Sequence, residues 1–302
     1  MNPSNPSDCD VRARISRLFV YPVKSCAGME VQDFMLTDTG PEFDRTWMVV
    51  DARGAFVTQR EHPSLALVHP RLAPGELVLS TPGMHALHVA LDQVNLPVSV
   101  KVWDDRVSAF DMGDEAAQWF SDFLARPENP GPDPVHSNFR LVRFDPAHQR
   151  ASSPEWTDGV TALNQFNDGF PILLLGAASL AQLNDRLAAA GHSCVGIERF
   201  RPNLVLSGLQ PHEEDLLGVI RVDTGGEQVW LKPVKPCPRC PIPNVDPQTA
   251  RSSPEVGDIL QSYRRDARLN GAVTFGMNAI ILRGIGSALR VGQNVSADFD
   301  FG

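Results

Sequence analysis

Twenty-five prolines and 23 glycines cut the apolar stretches of this chain into short pieces. Short apolar runs closed by turn residues favour strands over helices, because a helix needs a long uninterrupted stripe. ISRLFVYPV (15–23) reads as a strand rich in β-branched and aromatic residues and closed by proline. TWMVVD (46–51), the turn Ala52-Arg53-Gly54 and FVTQR suggest a hairpin. LALVHPRL, ELVLS and LHVAL continue the pattern. In VSVKVWDD (98–105), Val98, Val100 and Val102 alternate with Ser99, Lys101 and Trp103, the period of a half-buried strand. ILLL, NLVLSG, GVIRVD, QVWLKPV, AIIL and ALRVGQNV carry the same reading towards the C-terminus.

Two stretches break the pattern. In GDEAAQWFSDFLAR (113–126), Ala116, Trp119, Phe120 and Phe123 share a helical face, with Asp114 and Glu115 in the first turn. In AASLAQLNDRLAAAG (177–191), Leu180, Leu183 and Leu187 recur at helical spacing, and Gly191 sits where a C-cap belongs. Between them PENPGPDPVHS (127–137) holds four prolines and reads as a linker. The expected class is mainly β (α+β), with two β-barrel-like units, 12–130 and 138–298, and a few peripheral helices.

A formal charge of −9 argues against a broad grip on nucleic acid or anionic lipid, and makes local clusters of Lys and Arg stand out. No apolar run approaches a bilayer-spanning length, and MNPSNPSDCD lacks the features of a secretory signal. Five cysteines, an odd number without a regular ladder, argue for a reducing compartment. The cytoplasm is the expected location, with neither nucleic acid nor membrane as a partner.

The strongest local signal is KPVKPCPRCPIPNVDP (232–247), with Cys237-Pro238-Arg239-Cys240 inside it. Three chemistries compete for such a pair. A structural zinc site needs about four ligands, and the other cysteines are scattered. A thioredoxin-like redox pair would open a helix, which Pro241 and Pro243 oppose. A thiolate in a proline-stiffened loop suits a soft or thiophilic metal, and Arg239 beside it would lower its pKa or hold an anion.

Two further loops are basic. Tyr21-Pro22-Val23-Lys24-Ser25 ends the first strand and Asp44-Arg45 follows another loop. An ammonium, a hydroxyl and a planar guanidinium suit a phosphate. Arg199-Phe200-Arg201-Pro202-Asn203 enters the strand NLVLSG. Together with the thiol loop, these segments suit a large anionic cofactor that carries a thiophilic metal. Other candidates are weaker. Cys26 reads as a buried thiol. His85 and His88 would lie on opposite faces of a strand, so they make poor metal partners. Gly284-Ile285-Gly286 lacks the third glycine and the helix of a dinucleotide loop.

At this point the chain resembles a known family. YPVKSCAGMEV, DRTWMVVD and TQREHPSLALV look like the N-terminal β-barrel that accompanies MOSC domains. GDEAAQWFSDFL, RFRPNLVLSG with EED after it, and KPCPRCPIPNVDPQTA look like the MOSC domain itself. The family includes the mitochondrial amidoxime-reducing component and its bacterial relatives, which bind the pyranopterin molybdenum cofactor and reduce N-hydroxylated compounds. The resemblance makes Cys240 the molybdenum ligand. It implies that Lys24, Ser25, Arg45, Arg201 and Arg239 hold the pterin and its phosphate, and it places Asn278 on the cofactor side. A hydroxyl pair of the amidoxime-reducing members corresponds here to Gly169 and Phe170, so those hydrogen bonds are lost.

The expected activity is a molybdenum-dependent oxidoreductase that removes oxygen from the nitrogen of a small N-hydroxylated or N-oxide substrate. Asp246 is a candidate proton donor, although Asp246-Pro247 also reads as a turn. Cys237 is expected to support the loop. No cysteine follows Cys240, so electrons are expected from a separate reductase, haem or iron–sulfur protein. The alternative is a sulfur carrier or transfer module in which Cys240 bears a persulfide. A pyridoxal phosphate site would need a Schiff-base lysine, for which Lys24 is the sole tempting residue.

Overall fold

The computed structural model describes residues 9–93, 96–129 and 138–301. Residues 1–8, and 130–137 of the expected linker, lie outside these. The protein is mainly β, with three α-helices among the described residues: α1 (Asp114–Leu124), α2 (Ala177–Ala189) and α3 (Glu255–Tyr263).

Seven strands close into a barrel. Their order is Ile172–Gly176, Leu204–Ser207, Val11–Val20, Asn294–Phe299, Leu217–Val222, Val229–Pro238 and Ala272–Arg283, the last pairing back onto Ile172–Gly176. Ile172–Gly176 and Leu204–Ser207 run parallel, which requires a crossover, and α2 supplies it. Leu183 and Leu187 of α2 are buried beside Phe200 and Phe275, while Leu180 is partly covered. Inside the barrel Ile15, Leu18, Leu174, Leu206, Ile220 and Leu231 form the core. Alternation puts such residues on one face of each strand, and closure leaves no long open edge.

The second unit is built from a four-stranded sheet, in the order Trp47–Val50, Arg140–Phe144, Asp105–Asp111 and Pro97–Val102. A three-stranded sheet of His69–Ala73, Glu76–Ser80 and Leu87–Ala90 stands beside it. Trp119, Phe120 and Phe123 of α1 pack with Trp47, Val49, Leu77 and Leu79 from these sheets. The opposite face of the four-stranded sheet is covered as well, with Met48, Val50, Val142, Phe144 and Phe166 in one cluster.

The two units exchange strands. Val11–Val20 lies in the middle of the closed barrel, between Leu204–Ser207 and Asn294–Phe299. Arg140–Phe144 pairs instead with Trp47–Val50 in the other unit. Residues 21–26 and 164–170 are two of the segments in which the chain crosses the seam. Backbone bonds pin the outward crossing: Lys24 N–H donates to Trp47 O (2.8 Å), and Arg45 N–H donates to Tyr21 O (2.8 Å). Both crossings face the same cavity. Among the described residues no helix is long and apolar enough to cross a membrane.

Candidate functional site

At the seam lies a cavity of about 830 Å³. Lys24, Ser25, Arg45, Arg201, Arg239, Cys240 and Asn278 all line it, so residues up to 254 positions apart in sequence meet at one place. Asp246 does not. Its Oδ2 pairs with Arg199 (3.0 Å), and its Oδ1 accepts from the backbone N–H of Gln248 and Thr249. These contacts stiffen the turn after the cysteine loop.

Each crossing contributes one part. Lys24 is buried, and its Nζ donates to Phe166 O (2.7 Å) and to Asp168 Oδ1 (2.6 Å). Burial pushes the lysine pKa down, against the pull of Asp168. Ser25 is fixed through its carbonyl, which accepts from Gln59 Nε2 (2.5 Å). Arg45 pairs with buried Asp44, and its Nη2 donates to Arg201 O (3.1 Å). Arg201 Nη1 donates to Cys26 O (2.6 Å). The guanidinium groups of Arg45 and Arg201 each lie 4.3 Å from the centre of the Tyr21 ring. An aromatic face attracts cations, so the ring offsets part of the repulsion between them.

Strain marks the same residues. Ser25, Arg45 and Arg201 have φ of 68°, 52° and 57°. A residue with a side chain pays roughly 1–3 kcal/mol for the left-handed region, so three such residues around one cavity point to function rather than folding.

The charge balance points to an anion. Lys24, Arg45, Arg60, Arg201 and Arg239 line the cavity against the single carboxylate of Asp168, in a chain whose net charge is −9. Burial, then the nearby charge of Arg45, bring Arg201 down to about 10. Arg201 Nη2 and Arg239 Nε are buried without a hydrogen-bond partner. A buried donor left unmade costs about 1–3 kcal/mol, more when charged, so these N–H groups await an acceptor.

The thiol loop follows from its prolines. Val229–Pro238 pairs with Ala272–Arg283 through three irregularities, since prolines cannot donate to the ladder. Arg239 N–H then donates to Val273 O (2.8 Å), and a short 3-10 turn (Ile242–Asn244) follows instead of a helix. Cys237 and Cys240 both reach the cavity. Arg239 Nη1 donates to Cys237 Sγ (3.0 Å) and its Nη2 to Phe200 O (2.7 Å), so the arginine rests on the other cysteine of the pair. Cys26, Cys194, Cys237 and Cys240 are free thiols. Among the described residues no group of three or more His, Cys, Asp or Glu is arranged to hold a metal, so protein ligands alone do not enclose one at Cys240. Cys26 is fully buried, and burial pushes its thiol up to about 12.

Sequence reasoning missed Arg60, Phe56, Asn167, Asp168 and Asn203, which also line the cavity. Asn203 follows Arg201 in the basic loop, but its amide serves the backbone: Oδ1 accepts from Leu173 N–H and Nδ2 donates to Phe19 O. Asp168 carried a legible signal, since it adjoins Gly169-Phe170.

Residues 12–127 match the model of the MOSC N-terminal beta barrel domain, and residues 162–296 match the MOSC domain. The chain belongs to the MOSC-domain family. It is 34% identical to the mitochondrial amidoxime reducing component 2 of Rattus norvegicus, over 83% of this chain and 72% of that protein. It is 32% identical to the mitochondrial amidoxime-reducing component 1 of Homo sapiens, with the same coverage. It is also 33% identical to the molybdenum cofactor sulfurase of Danio rerio, over 87% of this chain but 31% of that longer protein. This MOSC-domain chain is thus similar to two kinds of protein that differ in what surrounds the shared part.

Proposed function

We propose that this MOSC-domain protein binds the molybdenum cofactor and reduces small N-hydroxylated or N-oxide compounds. One observation carries the reading: an accessible thiol, Cys240, shares a cavity with the cations Lys24, Arg45, Arg201 and Arg239, one carboxylate and two buried unpaired N–H groups. The donor set fits the group. A dithiolene-bound metal wants a soft thiolate, and a pterin with a terminal phosphate wants the cation excess. When bound, the cofactor supplies the two-electron reduction of the N–O bond.

The protein's part is orientation and charge. Cys240 ligates the metal. Lys24, Ser25, Arg45 and Arg201 hold the phosphate end, with Arg201 Nη2 gaining its missing acceptor. Arg239 and Asn278 hold the pterin side, where Gly169 and Phe170 offer space but no side-chain hydroxyl. Asp246 acts as a positioning group, since its carboxylate is already committed to Arg199 and the turn. Each turnover takes two electrons and two protons and releases water. The proposal assigns the electrons to a separate reductase, haem or iron–sulfur protein. It places the protein in the reducing cytoplasm, consistent with the free thiols of Cys26, Cys194, Cys237 and Cys240.

The deciding experiment is molybdenum content per chain, for wild type and Cys240→Ala, purified from a host that makes the cofactor. Near one metal per wild-type chain, with clear loss in the variant, is expected. A well-folded wild type without molybdenum overturns the reading. Persulfide on Cys240 would then support sulfur transfer, a reading favoured by the similarity to the sulfurase.

A further inference from the structure

The cavity that carries Cys240 continues outward into a second space of about 1440 Å³, and Arg60 and Trp103 stand on its rim. Trp103 occupies the two-residue turn between Pro97–Val102 and Asp105–Asp111, with φ of 54°. Turns of this kind favour Asn or Gly, and a bulky residue there is strained. The residue is also 42% exposed. A large apolar residue that is both strained and solvent-facing does little for stability, so its position calls for another reason.

Three contacts fix that position. The indole N–H donates to Asp168 Oδ1 (3.2 Å), the ring meets Phe56 edge-on with centroids 5.0 Å apart, and the Arg60 guanidinium lies 4.7 Å over it. Arg60 is half-buried, and among the described residues no carboxylate lies within ion-pair distance of it. Of the three carboxylates that line this space, Asp105 and Asp168 are matched to Arg150 (2.7 Å) and Lys24 (2.6 Å), and exposed Asp104 is outnumbered by Arg60, Lys235 and Arg239. Lys235, on the same rim, rests over the ring of Trp156 (5.0 Å). The outer space thus presents an aromatic wall beside a cation with free donors. Phe170, which lines both spaces, adds a second aromatic surface.

We propose that Arg60 and Trp103 select planar aromatic substrates that carry an anionic group at the end remote from the reacting nitrogen. This rests on the reaction proposed above and names its substrate class. The ring gains stacking on Trp103, and a carboxylate or phosphate gains charge-assisted donors from Arg60.

The test compares phenyl amidoxime with its 4-carboxy derivative, using molybdenum-loaded protein and reduced methyl viologen as electron source. In each case the N–O bond breaks, two electrons and two protons are taken up, and the products are the amidine and water. Wild type is expected to favour the carboxylate by about tenfold in kcat/KM, mainly through KM. Arg60→Gln brings that ratio close to one, and Trp103→Leu raises KM for both compounds. Molybdenum content of Arg60→Gln stays at the wild-type level. A wild type without preference, a preference that survives in Arg60→Gln, or metal loss in that variant overturns the proposal. Calorimetric binding of the two amidoximes separates it from the reaction itself. If neither is reduced, the reaction reading fails; tighter binding of the carboxylate, lost in Arg60→Gln, still upholds the selection site, and equal binding removes it.

Discussion

Arg201 Nη1 donates to the carbonyl of Cys26 (2.6 Å), joining two residues 175 positions apart across the seam between the units. That bond holds a guanidinium beside the like charge of Arg45. Removing it costs a charge-assisted hydrogen bond, roughly 1.5–3 kcal/mol, but relieves repulsion with Arg45 and frees the strained backbone. Substitution by glycine, which tolerates a φ of 57°, is therefore expected to leave the protein about 1 kcal/mol more stable than substitution by alanine. Both Arg201→Gly and Arg201→Ala lose most bound molybdenum. Thermal melts of the metal-free proteins check the first point and metal analysis the second. Equal melting of the two variants would falsify the strain argument.

Much of this was legible in the sequence, and the remainder has identifiable causes. The alternation of Val98, Val100 and Val102 and the apolar stripe of α1 were read because each depends on near neighbours. α3 was missed although Val256, Leu260 and Tyr263 have helical spacing, because it is short and opens after Pro254 with no side-chain cap bond. The placement of Val11–Val20 inside the barrel was not legible, since its partners lie near residues 204 and 294 and pairing leaves no local trace. Seven of the eight residues named from motif and resemblance line one cavity. Arg60 was not named, because its role depends on which loops meet at the seam, and Asp168 was passed over although Gly169-Phe170 beside it were read. Asp246 was named for its nearness in sequence to Cys240, but its carboxylate serves a turn instead.

Glu214 explains why an acidic run follows the strand Leu204–Ser207. It is fully buried and accepts from Gly176 N–H (3.0 Å) and Ser179 Oγ (2.7 Å), tying the start of the crossover helix to the barrel. Removing the carboxylate leaves both donors unsatisfied in a dry site. Glu214→Ala is expected to cost on the order of 3 kcal/mol, read as a drop in the denaturant midpoint. Glu214→Gln, which keeps an acceptor, should cost less. A larger loss for Gln than for Ala would count against this assignment.

The two cysteines of the loop are expected to behave differently. Cys237 Sγ receives the Arg239 N–H and donates to Pro238 O, whereas Cys240 has the thiol assigned to the metal. Cys237→Ala should keep most of its molybdenum, because Arg239 retains its bond to Phe200 O. Cys240→Ala should lose it. If Cys237→Ala loses the metal and Cys240→Ala retains it, the ligand assignment is reversed.

His212 provides a pH signature away from the cavity. It is half-buried against Tyr263 and Phe275, its Nε2 meets Gln182 Oε1 (2.9 Å), and Nδ1 is buried without a partner. Burial, then the charges of Arg264 and Arg186, bring its pKa down from 6.5 to about 4. Between those values the unfolded chain binds a proton that the folded chain does not. Stability contributed by neutral His212 is therefore complete above pH 6.5, declines as pH falls, and is lost by about pH 4. Solvent screening at this half-buried site limits the effect to on the order of 2 kcal/mol. Nearby carboxylates also titrate in this range, so the useful quantity is the difference between wild type and His212→Gln. That difference should shrink steadily from pH 7 to pH 4 in denaturant melts, and a constant difference across the range would show that His212 is not the titrating group.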